Sequence, residues 1–229
     1  MKRMILVGLI LGMFFGVKVE ATDLYVPSPH GITIQSTINA ATTGDTVWVA
    51  DGTYAGAGNK NLSWSGKYIT VRSASGAENC IIDCQNNGRG FYFSETGQNS
   101  SDVIDGFTIR NGYAAGGIPG WPNSGGGGIH CNSSSPTILN CIITGSAAWD
   151  GGGIFCNSSS SLILNCIITG NTATYGGGIH CRNFSPTITN NIISGNSGYG
   201  IYEWDINSDP PTNYNCFCNN APGDYYDEG

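Results

Sequence analysis

Four ring-bearing side chains recur at one position of a repeated phrase. His130, Phe155, His180 and Tyr202 each follow a Gly-Ile pair, and the first three stand 25 residues apart. Stacked copies would place successive rings about 4.8 Å apart, as a flat apolar strip with polar tips. Trp149 and Tyr175 lie on the turn before the glycine corners and widen the strip. A sugar chain or a protein partner fits such a surface; the plain alternative is rings that stack on each other and shield strand backbone. A second constellation is acidic. Ile82-Asp83 precedes Ile104-Asp105 by 22 residues, one coil, so the two carboxylates are expected in neighbouring coils about 5 Å apart. That spacing suits a retaining glycosidase pair or a Ca²⁺ site, with Arg110 on the same coil as Asp105. Asp before Gly106 is also ordinary turn chemistry. Zinc is excluded: His130 and His180 are two coils, about 9.6 Å, apart and cannot share an ion with bonds of about 2.0–2.1 Å. The Gly-Gly-Gly-Ile runs lack the Lys and Ser/Thr of a phosphate loop.

These positions hang on a repeat. Gly126-Gly127-Gly128-Ile129-His130-Cys131 returns as Gly151–Cys156 and Gly176–Cys181, and Ile138-Leu139-Asn140-Cys141-Ile142-Ile143 returns as Ile163–Ile168 and, less strictly, Ile188–Ile193. A fixed period of 25 residues means stacked units. Each copy alternates apolar residues with period two between Gly, Asn, Ser and Pro breakers, which predicts short strands and leaves no room for a ten-residue helix. Such a unit buries its inner face only by stacking, each strand pairing in parallel with its copy. The expected fold is therefore all-β, a right-handed parallel β-helix of roughly seven or eight coils. Ile129, Ile154 and Ile179 form one inward ladder and Ile143, Ile168 and Ile193 another. The glycine triplets suit a tight corner, and Asn140, Asn165 and Asn190 a second one where Asn tolerates the left-handed region and bonds its stacked copies. Ile104–Ile109 aligns with Ile138–Ile143, the excess length falling in an insertion around Gly116–Gly125. Thr46–Val49, Tyr68–Arg72 and Gly90–Phe93 read as further strands. Ile34, Ile38 and Ala41 have helical spacing, and a short helix within Ile32–Thr42 is expected to cap the N-terminal end.

Lys2 and Arg3 precede the apolar run Met4–Val17, and Val19-Glu20-Ala21 offers a cleavage site, so Met1–Ala21 reads as a secretory signal peptide rather than a membrane span. Residues 22–229 are then one domain, with regular repeats over 126–200. Without the leader six basic and fifteen acidic residues remain, a formal charge of −9, and no Lys/Arg cluster exists. Nucleic acid is excluded as a partner on that ground. The C-terminal stretch from Asp209-Pro210-Pro211 to Gly229 offers no evident cap and reads as the end of a fragment, with strand edges prone to association.

Ile168-Thr169-Gly170-Asn171-Thr172-Ala173 followed by Gly176-Gly177-Gly178-Ile179 resembles the repeats of chlamydial polymorphic outer-membrane proteins, with Ile and Gly replacing that family's Phe and Ala. Thr33-Ile34-Gln35 through Gly44-Asp45-Thr46-Val47-Trp48-Val49 to Gly52-Thr53-Tyr54 is similar to the first coil of secreted bacterial proteins of the pectate-lyase-like superfamily. The resemblance implies a β-helix shared by lyases, hydrolases, adhesins and passenger domains, and leaves function open. It also implies a lyase alternative, in which Asp-held calcium at Asp83 and Asp105 works with Arg110 as base. Gly128-Ile129-His130 departs from the Gly-His-Gly of polygalacturonases.

Of nine cysteines, Cys131, Cys156 and Cys181 fall in one inward column and Cys141 and Cys166 in another, read as small buried hydrophobes. Cys80 with Cys84, and Cys216 with Cys218, lie outside these columns and are the disulfide candidates. Five Asn-x-Ser sequons, at Asn61, Asn99, Asn132, Asn157 and Asn183, matter only where such sites are glycosylated. Between Gly112 and Gly200 only Asp150 and Arg182 carry full charge. Acid–base catalysis needs placed titratable groups. The expected function is thus an exported, surface-associated or secreted, non-catalytic binding or adhesion module for polysaccharide or a cell-surface glycan or protein, with no cofactor. The rival is a polysaccharide lyase or glycoside hydrolase, with Ca²⁺ only under the lyase reading.

Overall fold

The computed structural model describes residues 21–26, 32–114 and 124–228. The leader, apart from Ala21, and most of the insertion around Gly116–Gly125 lie outside the described residues. The remainder is a right-handed parallel β-helix of about eight coils. Its three sheets are parallel throughout. Sheet A has eight strands, from Asp23–Val26 to Thr212–Asn213; sheet B has seven, from Gly52–Ala55 to Cys216–Cys218; sheet C has six, from Phe91–Ser94 to Tyr225–Tyr226. The registers expected for the regular coils hold: Ile129, Ile154 and Ile179 pair in sequence, as do Ile143, Ile168 and Ile193. Ile104 sits on Ile138 and Ile109 on Ile143.

Alternation sorts each strand into an inner and an outer set. Ile104, Ile138, Ile163 and Ile188 from sheet A, Ile82, Ile109, Ile143, Ile168 and Ile193 from sheet B, and Ile129, Ile154, Ile179 and Ile201 from sheet C are fully or almost fully buried and make one continuous core. Cys131, Cys156 and Cys181 fill the sheet C side of it, free and fully buried. The expected helix is Ile34–Ala40, opened by a capping box in which Thr33 and Ser36 each accept the other's backbone N–H at 3.1 Å. Its Ile34 and Ile38 are buried on the core. Among the described residues no helix is long and apolar enough to cross a membrane.

Corners are held by asparagine. Asn140, Asn165 and Asn190 have φ of 52°, 57° and 56°, and their side-chain amides donate down the column, Asn190 to Asn165 at 2.6 Å, Asn165 to Asn140 at 3.4 Å and Asn140 to Asp105 Oδ1 at 2.7 Å. A second, internal ladder runs through Asn171, Asn196 and Asn220. Buried Asn196 accepts the Asn171 backbone N–H (3.0 Å) and side-chain amide (3.1 Å) and donates to the Ile168 carbonyl (3.0 Å) and to Asn220 Oδ1 (2.9 Å). Truncating it strands a buried N–H and a buried carbonyl, each costing about 1–3 kcal/mol unsatisfied. Asn196→Ala is therefore expected to lower stability by about 2–3 kcal/mol in urea denaturation, whereas Asn190→Gly, which keeps the left-handed backbone and removes only the exposed ladder bond, costs under about 1 kcal/mol.

The early coils correct one register. Ile82 pairs with Ile109, and Asp83 with Arg110, in sheet B; Asp105 pairs with Arg72 in sheet A. Asp83 and Asp105 thus occupy different faces of the rod, and the expected carboxylate pair is not formed. The disulfide expectation also fails, because all nine cysteines are free. Cys80 and Cys84 both point into the core four residues apart along extended backbone, about 13 Å, far beyond a disulfide's span. Burial pushes both thiols up to about 12.

Candidate functional site: the outer face of sheet C

The ring column exists and is longer than expected. Tyr92, His130, Phe155, His180, Tyr202 and Tyr226 stand in register on the outer side of sheet C. Their ring centroids follow at 4.8, 5.3, 5.4, 5.4 and 4.5 Å. It is not a surface, however. His130 and Phe155 are 0 % exposed, His180 1 % and Tyr202 6 %. The expected exposed strip is corrected to a second, smaller core.

The cover comes from the chain that precedes each strand. Gly126, Gly151 and Gly176 have φ of 70°, 58° and 63° and fold the backbone tightly onto the strand it is about to enter. A β-carbon at Gly126 would run into the Ile129 carbonyl, one at Gly151 into that of Ile154, and one at Gly176 into that of Ile179. The residues ahead of them form a fourth, short parallel ladder, Gly125 on Asp150 on Tyr175, lying over the rings. Gly125 seats directly on the Phe155 ring, with no room for a β-carbon, and its carbonyl faces His130 Nδ1 at 2.9 Å. Ser124 donates to Asp150 Oδ2 at 2.7 Å, and Asp150 Oδ1 stands 3.5 Å from His180 Nδ1, all three residues buried. In this Ser–Asp–His set the carboxylate stands between the hydroxyl and the imidazole. It stitches the cover to the rings. Burial, and then the Arg89 charge, hold His130 down at about 3 against the partial opposition of the Gly125 carbonyl. It is neutral at physiological pH.

Trp149 remains 41 % exposed beside this cover, one coil from half-buried Tyr175. The Tyr175 ring lies 5.2 Å from Tyr202 and 5.2 Å from Trp204. The Arg182 guanidinium sits 5.5 Å over the Trp204 ring. Of the ring residues expected to bind a ligand, then, Trp149 and Tyr175 reach the surface, and Trp204 joins them.

Elsewhere the charged groups are engaged. Arg110 binds Asp83 at 2.9 Å and Arg72 binds Asp105 at 2.9 Å. Burial works against the Asp83 carboxylate, but hydrogen bonds from Asn111, the Gln85 amide and Arg110 outweigh it and hold its pKa below the ordinary value. A general acid needs the opposite shift. Among the described residues no three His, Cys, Asp or Glu side chains are grouped to hold a metal.

Glu203 went unread in the sequence. It stacks on Cys181 and so faces the core at the end of the cysteine column, 2 % exposed with Oε1 unpartnered. Burial, then Asp227, Asp209 and Asp205, raise it from 4.5 to about 8. The signal was present: aligning Gly200-Ile201-Tyr202 with Gly178-Ile179-His180 places Glu203 on the cysteine position.

Residues 18–227 match the family described as right handed beta helix region, and the chain belongs to that family. Among solved structures, a pectin methylesterase from Aspergillus niger is similar at 14% identity, with a TM-score of 0.43 over 89% of this chain and 85% of that one. No curated protein matches the chain. Membership fixes the scaffold, while function belongs to sites carried on it.

Proposed function

We propose that the protein is an exported, non-catalytic binding module that holds a glycan chain along the aromatic margin of sheet C. The observation that carries this reading is the division of the rings: His130, Phe155, His180 and Tyr202 are closed off inside the column, while exposed Trp149 and half-buried Tyr175 and Trp204 lie at its accessible edge, on coils whose spacing the β-helix fixes. Rings offer an apolar face to the C–H side of a pyranose and lose little entropy, since the scaffold already orders them. Arg182 beside Trp204 adds a donor for hydroxyl or carboxylate oxygens. Against a lyase or hydrolase stand the separated aspartates, each paired to arginine, and histidines closed under the glycine ladder.

A glycan array with the purified chain tests this. Trp149→Ala is expected to weaken binding of the retained glycan at least tenfold with the melting temperature unchanged, because that ring is exposed. Uronate-containing polysaccharides are expected to survive incubation with or without Ca²⁺. Calcium-dependent turnover abolished by Asp83→Asn would overturn the reading.

A further inference from the structure

Seven of the nine cysteines are buried; Cys216 and Cys218 are exposed. They bracket Phe217 on the sheet B strand Cys216–Cys218, and Phe217 packs on the core, so both thiols leave the same outer face. In register beneath them are Ile192, 45 % exposed, and Ser194. Tyr214, 88 % exposed, stands at the corner, and an open hollow of about 380 Å³ reaches Cys216 between Asn190, Ile192 and Tyr214.

We propose that Cys216 and Cys218 form a two-coordinate site for a thiophilic cation, with Cu(I) as its representative. Residues i and i+2 of a strand lie about 6.6–6.8 Å apart with parallel Cβ directions. A disulfide needs Cβ atoms within about 3.5–4.5 Å, so the two thiols do not bridge each other on this strand. A linear sulfur–metal–sulfur unit has sulfurs about 4.6 Å apart, taking metal–thiolate bonds of about 2.3 Å. Two Sγ atoms leaning toward each other close that difference through χ1 alone. The donor set then selects the ion. Soft thiolates favour Cu(I), and Ca²⁺ or Mg²⁺ would need several oxygens. Structural Zn²⁺ needs four ligands, and no group of even three exists among the described residues. Binding is a proton exchange without electron transfer: two thiols and one Cu(I) give the bis-thiolate and two released protons, so affinity falls with falling pH. The site does not rest on the glycan reading, since sheet B and sheet C are different faces.

The test is an anaerobic titration of the reduced full chain with Cu(I) in competition with a chromophoric Cu(I) chelator. One tightly held ion per chain is expected. Cys216→Ser and Cys218→Ser are each expected to weaken it at least a hundredfold, and the double variant to hold none. In the unmodified chain, bound Cu(I) is expected to protect both thiols from alkylation, a readout that needs no variant. Three results would overturn the assignment: no uptake above the double variant, single variants with undiminished affinity, or a mass showing one ion shared by two chains.

Discussion

Phe155→Ala is expected to destabilise the native state by about 3–5 kcal/mol, read as a lowered urea midpoint with the denaturant slope retained. The ring lies between His130 at 5.3 Å and His180 at 5.4 Å, with Gly125 against its face and no exposure. Its removal leaves a cavity that neither neighbour fills by a rotamer change, because each imidazole is held from the cover, His130 by Gly125 and His180 by Asp150. Had the ring stood on an open strip, the same change would stay within about 0.5 kcal/mol. The two geometries therefore differ by an order of magnitude in one measurement. A second readout separates cavity from simple loss of area. Water admitted beside His130 would raise its imidazole pKa from about 3 toward the ordinary 6.5, a shift that proton NMR titration follows directly. An unchanged midpoint would remove the second core.

The repeat made the coils legible because identical residues at a fixed step can satisfy stacking in only one register; Ile129 on Ile154 on Ile179 needed no further information. It also gave the direction of the side chains, since His130 between Ile129 and Cys131 must leave the sheet on the outer side. What it could not give is what lies beyond that side. Burial of the rings depends on a fold-back of the chain at Gly126, Gly151 and Gly176, and a glycine triplet encodes freedom to fold back without naming the surface it will touch. The aspartates were misplaced for a related reason. Ile-Asp occurs at the ends of strands in two sheets, and outside the regular repeats a two-residue match does not distinguish them; Arg110 opposite Asp83 and Arg72 opposite Asp105 do, once the coils are built. The helix was readable because its signal is local, the apolar spacing of Ile34, Ile38 and Ala41; the Thr33–Ser36 capping box that opens it went unread.

The pH dependence of stability is expected to have a plateau with two limbs, and one side chain controls the alkaline one. Glu203 keeps its proton in the folded chain up to about 8, whereas the unfolded chain releases it at about 4.5. Between those values the unfolded state binds fewer protons, so stability falls as pH rises, by about 1.4 kcal/mol per unit and on the order of 4–5 kcal/mol over the window. His130 acts with the opposite sign. Its folded-state pKa is depressed from 6.5 to about 3, so its contribution is complete above 6.5 and is lost as pH falls below that. From 4.5 to 6.5 the two slopes oppose each other and the curve is nearly flat; between 6.5 and 8 Glu203 sets the slope, and below 4.5 His130 is joined by Asp83 and Asp45, whose lowered carboxyl pKa values act with the same sign. The groups facing Glu203 reinforce this. Asp205, Asp209 and Asp227 all disfavour its charge, as burial does first, and Cys181 beneath it is a neutral thiol pushed up by the same burial. Glu203→Gln fixes the uncharged form, so the variant is expected to hold its stability from pH 6.5 to 8, where the parent loses about 2 kcal/mol, and to keep the acid limb unchanged. Urea denaturation of both chains at pH 4, 5.5, 6.5 and 8 separates the limbs. Parallel curves above pH 6.5 would place the Glu203 carboxyl in solvent rather than at the end of the cysteine column, and the inward register of that last coil would fall with it.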